Sequence, residues 1–257
     1  MPGLIDSRFH PDIYLRHIAT SGGANSPKET AMSQWSEVER QLNVMVNQWY
    51  ETPEIRRLLT VPLTPAGLAF RHLHMNFFSN NRRDCWAAVS CRAPLDVKRA
   101  IWEHEKDELI YDPRMGKAHV TEDDLGTHKE SDMIPGARAA FYAWLHCAQE
   151  KPWLEGLACS HILERRNNGE IVKGGTLTER LVKRQEVELG IKKKDQDINV
   201  QVHLVADVDH TDLLEEVFTR YVVDDLTTQQ VLRGAEESLA IERCFHGAVA
   251  TAMAEFD

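Results

Sequence analysis

Helical periodicity is the feature that most limits the folds open to this chain. Between about residue 35 and residue 255, apolar residues recur every three to four positions, and no segment alternates apolar and polar residues as a strand would. The helices predicted from this spacing include 35–51, 65–78, 82–91, 94–111, 135–149, 152–166, 177–189, 197–223 and 227–255. We therefore expect an all-α protein with the architecture of a single helical bundle of about seven to eight helices.

The N-terminal region has a different composition. Residues 20–31 (TSGGANSPKETA) are small and polar and contain Gly-Gly and a proline, which predicts a flexible connection. The expected organisation is thus an N-terminal segment with this connection over residues 1–34, followed by one helical domain over residues 35–257.

Charge and composition limit the partners and the location. The formal net charge of −10 at pH 7 disfavours a nucleic acid or an anionic membrane as partner, because either would favour a basic face. No apolar run has the length of a membrane span and the N-terminus lacks a signal-peptide pattern, so the expected location is the cytoplasm. The five cysteines form no C-x-x-C pair, which favours free, buried thiols over disulfides or a zinc–thiolate site.

The strongest local motif is an H-x-x-x-D-x-x-H run formed by His203, Asp207 and His210. On a helix these side chains fall within an arc of roughly 60°, and the same stripe continues through Leu214 and Val217. Ligand-type residues on an apolar, core-facing stripe need a neutralising partner, since an unpaired buried charge is costly. A metal ion is the simplest partner. The alternative is a buried His–Asp hydrogen-bond network without metal.

An acidic stripe follows on the predicted helix 94–111, where Glu105, Glu108 and Asp112 lie within about 60° of one another. The large apolar residues expected to border this stripe are Trp102, Leu109 and Tyr111. Acids in such surroundings favour a role as metal ligands. A surface helix with intrahelical ion pairs is the alternative explanation of the EHEKDEL segment.

The predicted helix 152–166 presents a third inward stripe, which includes His161 and Glu164. Because Glu164 precedes Arg165 and Arg166, a surface salt bridge is the alternative to a ligand role. Three helices together offer several carboxylates and imidazoles. That number of donors favours two metal ions roughly 4 Å apart over a single ion.

The combination of H-x-x-x-D-x-x-H with EHEKDEL and the LER of residues 163–165 resembles the heme-oxygenase-like diiron oxidase and oxygenase superfamily. The pattern of that superfamily is a glutamate, a histidine shortly after it, a second glutamate on a later helix, and then the H-x-x-x-D-x-x-H run. The chain is also similar to the broader all-α group of TenA-type thiaminases and PqqC-like oxidases. The resemblance covers roughly residues 35–255 and implies a heme-oxygenase-like bundle.

By position, the resemblance implies six ligands for two Fe²⁺ ions. These residues, which the resemblance also makes the catalytic set, are Glu108, His119, Glu164, His203, Asp207 and His210. Glu108 precedes His119 by eleven residues and Glu105 precedes it by fourteen, both more than is usual in the family. Glu108 needs the smaller insertion and is preferred as the first glutamate, while Glu105 stays a candidate for an additional ligand.

The resemblance implies an iron-dependent oxidoreductase that uses O₂ and an external electron donor to oxidise a small molecule. N-oxygenation of an amine in specialised-metabolite biosynthesis is the preferred expectation. Oxidative desaturation or C–C fragmentation of an amino or fatty acid at the same site stays open. So do a metal-independent PqqC-like oxidase and a non-catalytic ligand-binding member, and a homodimer is an open oligomeric state. Residues that could line a substrate pocket, or else lie at the surface, are Arg71, His72, His74 and Arg82.

Overall fold

A computed structural model describes residues 27–114, 116–120, 129–195, 200 and 207–256. Nine α-helices occur in these residues: α1 (Pro27–Trp49), α2 (Pro53–Leu58), α3 (Pro65–Arg92), α4 (Leu95–Leu109), α5 (Pro135–Glu150), α6 (Trp153–Arg165), α7 (Leu177–Leu189), α8 (Asp207–Tyr221) and α9 (Asp225–Met253). Two short 3₁₀ helices lie at Glu130–Asp132 and Lys193–Asp195. The described residues form no strand, only one isolated bridge between Asp112 and Lys117, so the all-α prediction is confirmed.

Three elements differ from the prediction. Helix α3 is one helix of 28 residues, whereas the sequence predicted two helices with a break at residues 79–81. The polar residues there do not interrupt the helix, and the side chain of Asn81 donates to the carbonyl of Phe77 within the same helix. Helix α1 begins at Pro27, inside the predicted connection, at a first-turn position where proline is tolerated. The six-residue helix α2 was not predicted because it is too short to show a period.

Helix α6 lies in the centre of the molecule. Twelve of its thirteen residues, all except Trp153, are buried. It packs closely against α9 at Gly234, where a Cβ atom would lie 2.2 Å from the carbonyl oxygen of Glu155. The absence of a side chain at Gly234 therefore allows these two backbones to approach each other.

The charged residues of α6 reach partners on other helices. Glu155 accepts from Arg233 of α9 at 3.0 Å, and Arg165 donates to Glu215 of α8 at 2.7 Å. The neighbouring Arg166 forms an ion pair of 2.6 Å with Glu242 of α9. Buried charges of this kind are tolerated when each has a partner of opposite sign.

Two further expectations concern membrane-spanning segments and the state of the cysteines. None of the helices in the described part of the chain has the length and apolar character needed to span a membrane. All five cysteines are free thiols, of which Cys85, Cys147 and Cys159 are buried and Cys91 and Cys244 are exposed. The prediction of free thiols is thus confirmed, and burial holds for three of them.

Candidate metal centre

Four of the residues predicted as ligands lie together inside the bundle. Glu108 is in the last turn of α4, Glu164 is near the end of α6, His210 is in the first turn of α8, and His119 follows α4 in a non-helical segment. Their exposure is 4% or less. Residues from distant parts of the sequence therefore converge on one buried site.

The donor atoms form two overlapping groups. In one group, Glu108, His119 and His210 each offer an atom within 4.8 Å of the others, and in the second group His104, Glu164 and His210 do the same. His210 belongs to both, with Nδ1 at 3.7 Å from Oε1 of Glu108 and 3.9 Å from Oε2 of Glu164. This arrangement of buried imidazoles and carboxylates could hold a metal ion.

His104 is the site residue that the sequence reasoning missed. The buried positions of α4 are Val97, Ile101, His104 and Glu108, whereas the predicted stripe ran through Glu105. The two alternatives differ by one residue, or about 100° around the helix, and both fit a spacing of three to four residues. The signal was therefore present in the sequence but did not distinguish His104 from Glu105.

The same rotation explains why the expected apolar border is wrong. Trp102, Leu109 and Tyr111 are 71%, 44% and 49% exposed, so they do not enclose the acidic residues. The surroundings of the site come instead from other helices. Trp86 of α3, for example, packs against His104 with ring centroids 4.7 Å apart.

Glu105 lies beside the donor groups and outside both of them. Its Oε1 atom is 2.9 Å from Nδ1 of His104 and 3.1 Å from the guanidinium of Arg83. Because a carboxylate can only accept, Nδ1 of His104 donates this hydrogen bond and Nε2 is turned towards Glu164 at 3.5 Å. In this structure Glu105 thus orients a donor histidine.

Two predicted ligands cannot be placed. His203 lies outside the described residues, and the side chain of Asp207 lies outside the description although its backbone begins α8. The prediction that they join the cluster stays a prediction.

His119 owes its position to a short return of the chain after α4. The amide of Asp112 donates to the carbonyl of Lys117, and the turn between them contains Gly116 with φ of 68°, a left-handed conformation that favours glycine. The amide of Val120 then donates to the carbonyl of Glu108 at 2.9 Å. These bonds hold His119 against the end of α4.

Asp112 fixes the orientation of the His119 ring. Its Oδ2 atom lies 2.6 Å from Nε2 of His119, which must donate, so Nδ1 faces Glu108 at 3.3 Å. Burial raises the pKa of Asp112, but hydrogen bonds from Arg114 and His119 outweigh it and hold that pKa at about 2. An ionised carboxylate behind a histidine is the usual arrangement around metal-binding imidazoles.

Two adjacent arginines of α3 neutralise the carboxylates. Arg82 donates to Glu164 at 2.8 Å, and Arg83 lies 2.9 Å from Glu108. Burial alone would raise the pKa of Glu164, but the charge of Arg82 and the hydrogen bond with His104 keep it well below its usual value. Glu164 is therefore ionised, and both carboxylates already have a cationic partner.

The pKa values of the two histidines of the second donor group, His104 and His210, are shifted in opposite directions. Burial lowers the pKa of His104, but its hydrogen bonds to Glu105 and Glu164, with the charges of Glu164 and Glu108, raise it overall to about 9. Burial and the charge of His104 lower the pKa of His210 to about 4. At neutral pH, without metal, His104 is a cation and His210 is neutral.

The hydrogen bonding of the histidines tests whether a cation fits. Both ring nitrogens of His210 are buried and have no hydrogen-bond partner among the described residues. A buried imidazole nitrogen without a partner costs free energy, and most such atoms in proteins are paired. A divalent cation between His210 and the carboxylates of Glu108 and Glu164 would supply the missing partner, so the donor set fits a metal.

A cavity adjoins this site. Its void measures about 980 Å³ when its opening to solvent is included, and Glu108 and Glu164 form part of its wall together with apolar residues such as Phe78 and Leu181. Three of the four residues that were expected either to line a pocket or to lie at the surface line this cavity: Arg71, His72 and Arg82. His74 is buried instead, where its Nδ1 donates to the carbonyl of Phe70 and its Nε2 accepts from the amide of Ile134.

The comparisons with known proteins add no relative. No protein-family model matches this chain, and no curated protein matches it in sequence.

Proposed function

We propose that this protein is a non-heme diiron oxidoreductase with a heme-oxygenase-like bundle, which uses O₂ to oxidise a small molecule. The observation that carries the proposal is the pair of buried donor groups that meet at His210, whose ring nitrogens have no hydrogen-bond partner in the described part of the chain. Carboxylates with imidazoles are the donors expected for iron that reacts with O₂, because hard anionic oxygens stabilise its oxidised state.

The chain assigns its residues to distinct tasks in this proposal. Glu108, His119 and His210 would hold one ion, and His104 with Glu164 would hold the other. His203 and Asp207 would add donors by the H-x-x-x-D-x-x-H motif. Bound iron supplies the activation of O₂.

The surroundings of the site serve the same chemistry. Asp112 accepts from Nε2 of His119 and Glu105 accepts from Nδ1 of His104, so the other ring nitrogen of each histidine faces the donor groups. The donor residues themselves are buried, which excludes bulk water from the donor atoms and limits the loss of reactive oxygen species to solvent; they are His104, Glu108, His119, Glu164 and His210. The adjoining cavity provides room for a small substrate against Glu108 and Glu164.

For the reaction itself we propose N-oxygenation of an amine, with electrons from an external donor. Desaturation or C–C fragmentation of an amino or fatty acid would use the same donors and the same cavity. A panel of amines, amino acids and fatty acids, with product analysis by mass spectrometry, distinguishes these reactions.

The test is an anaerobic Fe²⁺ titration followed by exposure to O₂ in the presence of reductant and the panel. We expect two iron ions per chain and O₂ uptake that depends on iron. His210→Ala should abolish this uptake because His210 belongs to both donor groups, whereas the matched variant of an exposed histidine, His146→Ala, should retain it. Asp207→Ala should also abolish uptake while circular dichroism shows unchanged helix content.

One observation favours a second candidate, a metal-independent oxidase of the PqqC-like kind. Arg82 and Arg83 already neutralise Glu164 and Glu108, so the site balances its charge without a cation. Substrate oxidation at the full rate by chelator-treated protein, free of iron by metal analysis, would establish this candidate and refute the diiron proposal.

A further inference from the structure

Arg71 is a buried cation that no described residue pairs with. It lies on α3, is 8% exposed and lines the cavity. No hydrogen bond or ion pair to it occurs among the described residues, and its Nε atom is buried and unpaired. By contrast, each of the other arginines of the interior pairs with a glutamate: Arg82, Arg83, Arg165 and Arg166.

An unpaired guanidinium in the interior is unfavourable, since charged side chains are almost never buried without a partner. Burial and the nearby Arg166 cation lower the pKa of Arg71 to about 10, so it still carries its charge at neutral pH. Glu242 already neutralises Arg166 through a 2.6 Å ion pair. Among the described residues, one positive charge at the cavity wall is therefore left without compensation.

A second polar atom of the cavity wall is also unpaired. Gln185 of α7 is 2% exposed, lines the cavity, and has an Oε1 atom without a hydrogen-bond partner among the described residues. The cavity thus presents an unused cationic donor and an unused neutral acceptor. Both would be satisfied by a ligand that carries an anion and a hydrogen-bond donor.

We propose that Arg71 binds the carboxylate of the substrate, so that the enzyme acts on small organic acids, and the amine of the proposed N-oxygenation is then that of an amino acid. This inference rests on the proposed function, in that the acid it identifies is the molecule oxidised beside Glu108 and Glu164. A carboxylate fits because its two oxygens match the planar fork of a guanidinium and its single charge balances the cation of Arg71, which no described residue compensates. A phosphate dianion would leave excess negative charge in the cavity.

The test measures binding without iron, by calorimetry on chelator-treated full-length protein. The probes are unbranched carboxylates from butanoate to dodecanoate, the primary amides of the same acids, and inorganic phosphate. We expect the best carboxylate to bind at least about tenfold more tightly than its amide, the usual contribution of a charge-assisted pair. Arg71→Met should lower the affinity for that carboxylate by at least about tenfold and leave the affinity for the amide unchanged.

Two further variants control the interpretation. Arg57→Met replaces an exposed arginine and should change nothing. Arg71→Lys keeps the charge but loses the fork, so carboxylate affinity should fall between that of wild type and Arg71→Met. Without ligand, Arg71→Met should melt no lower than wild type, because it replaces an unpaired buried cation by an apolar chain of similar length. If Arg71→Met fails to fold, the Arg71→Lys comparison alone decides.

The proposal is overturned if no carboxylate outcompetes its amide, if phosphate binds more tightly than every carboxylate, or if the substitutions at Arg71 leave carboxylate affinity unchanged. These outcomes are independent of the diiron proposal. Arg71-dependent carboxylate binding without iron-dependent O₂ uptake would retain the anion site and refute the diiron function. Iron-dependent O₂ uptake with substrates whose binding does not need Arg71 would retain the diiron function and refute the anion site.

Discussion

Metal binding should release a proton from His104. Its pKa of about 9 in the metal-free protein means that at pH 7 about 99% of the molecules carry the imidazolium form. A histidine must be neutral to donate a lone pair, so Nε2 can bind a metal only after the proton leaves, while Nδ1 keeps its hydrogen bond to Glu105. We therefore expect release of about one proton per chain at this position.

The size of the effect follows from the difference between the pKa and the pH. Apparent Fe²⁺ affinity should rise about tenfold per pH unit from pH 7 to pH 9, about 100-fold or 2.7 kcal/mol in total, and then level off. His210 should contribute nothing in this range because its pKa is about 4. Anaerobic calorimetry in buffers of different ionisation enthalpy measures both the proton number and the affinity.

Substitution separates His104 from other sources of protons. His104→Gln retains a side chain that can donate to Glu105 but cannot titrate, so it should lower the number of protons released by about one. His146→Gln, at an exposed position, should behave as wild type. A pH-independent affinity in wild type, or undiminished proton release by His104→Gln, would refute this account of the site.

The free energy of unfolding of the metal-free protein should depend on pH through the same pKa of His104. The folded-state pKa of His104 lies above the unfolded value of about 6.5, so the stabilisation is complete below pH 6.5 and is lost as the pH rises through 9. Urea unfolding of chelator-treated protein between pH 6 and pH 9.5 should detect a decrease that His104→Gln lacks.

Two further substitutions test the support of the site and of the core. Asp112→Asn should lower metal affinity by about 10- to 100-fold, because it weakens the hydrogen bond that fixes the ring of His119. Metal titration measures this change, and an unchanged affinity would contradict the role of Asp112. Gly234→Ala should destabilise the fold by about 1–3 kcal/mol, since its Cβ would lie 2.2 Å from the carbonyl oxygen of Glu155. Gly169→Ala is the matched control, because no atom lies nearer than 3.9 Å to its Cβ, and it should leave the stability in the same urea measurements unchanged.

The sequence predicted the helices and much of the site for one physical reason. A buried helix face leaves a period of three to four residues, which is why α7 appeared at residues 177–189 with its Gly190 cap and why Glu108, Glu164 and His210 were placed on inward stripes. His119 is not on a helix, so no period marks it, and only the resemblance indicated it.

What the sequence did not predict depends on packing between helices. His104 and Glu105 are adjacent, and only the neighbours of α4 decide which of them is buried among the donors. Arg82 and Arg83 gave no sign of their partners, because their ion pairs to Glu164 and Glu108 join residues of different helices. The continuity of α3 across residues 79–81 likewise depends on tertiary contacts, which override weak local preferences.

The central position of α6 has a consequence for how the molecule unfolds. Its buried charges are balanced by α3, α8 and α9, through Arg82, Glu215 and Arg233 respectively. Detachment of any one of these helices would break one of these ion pairs and expose apolar residues of α6, such as Leu157 and Ile162, to water, which costs free energy. Partly unfolded states that retain α6 are therefore disfavoured, and the described helices around it should unfold together in one cooperative transition, with the amides of α6 among the slowest to exchange hydrogen.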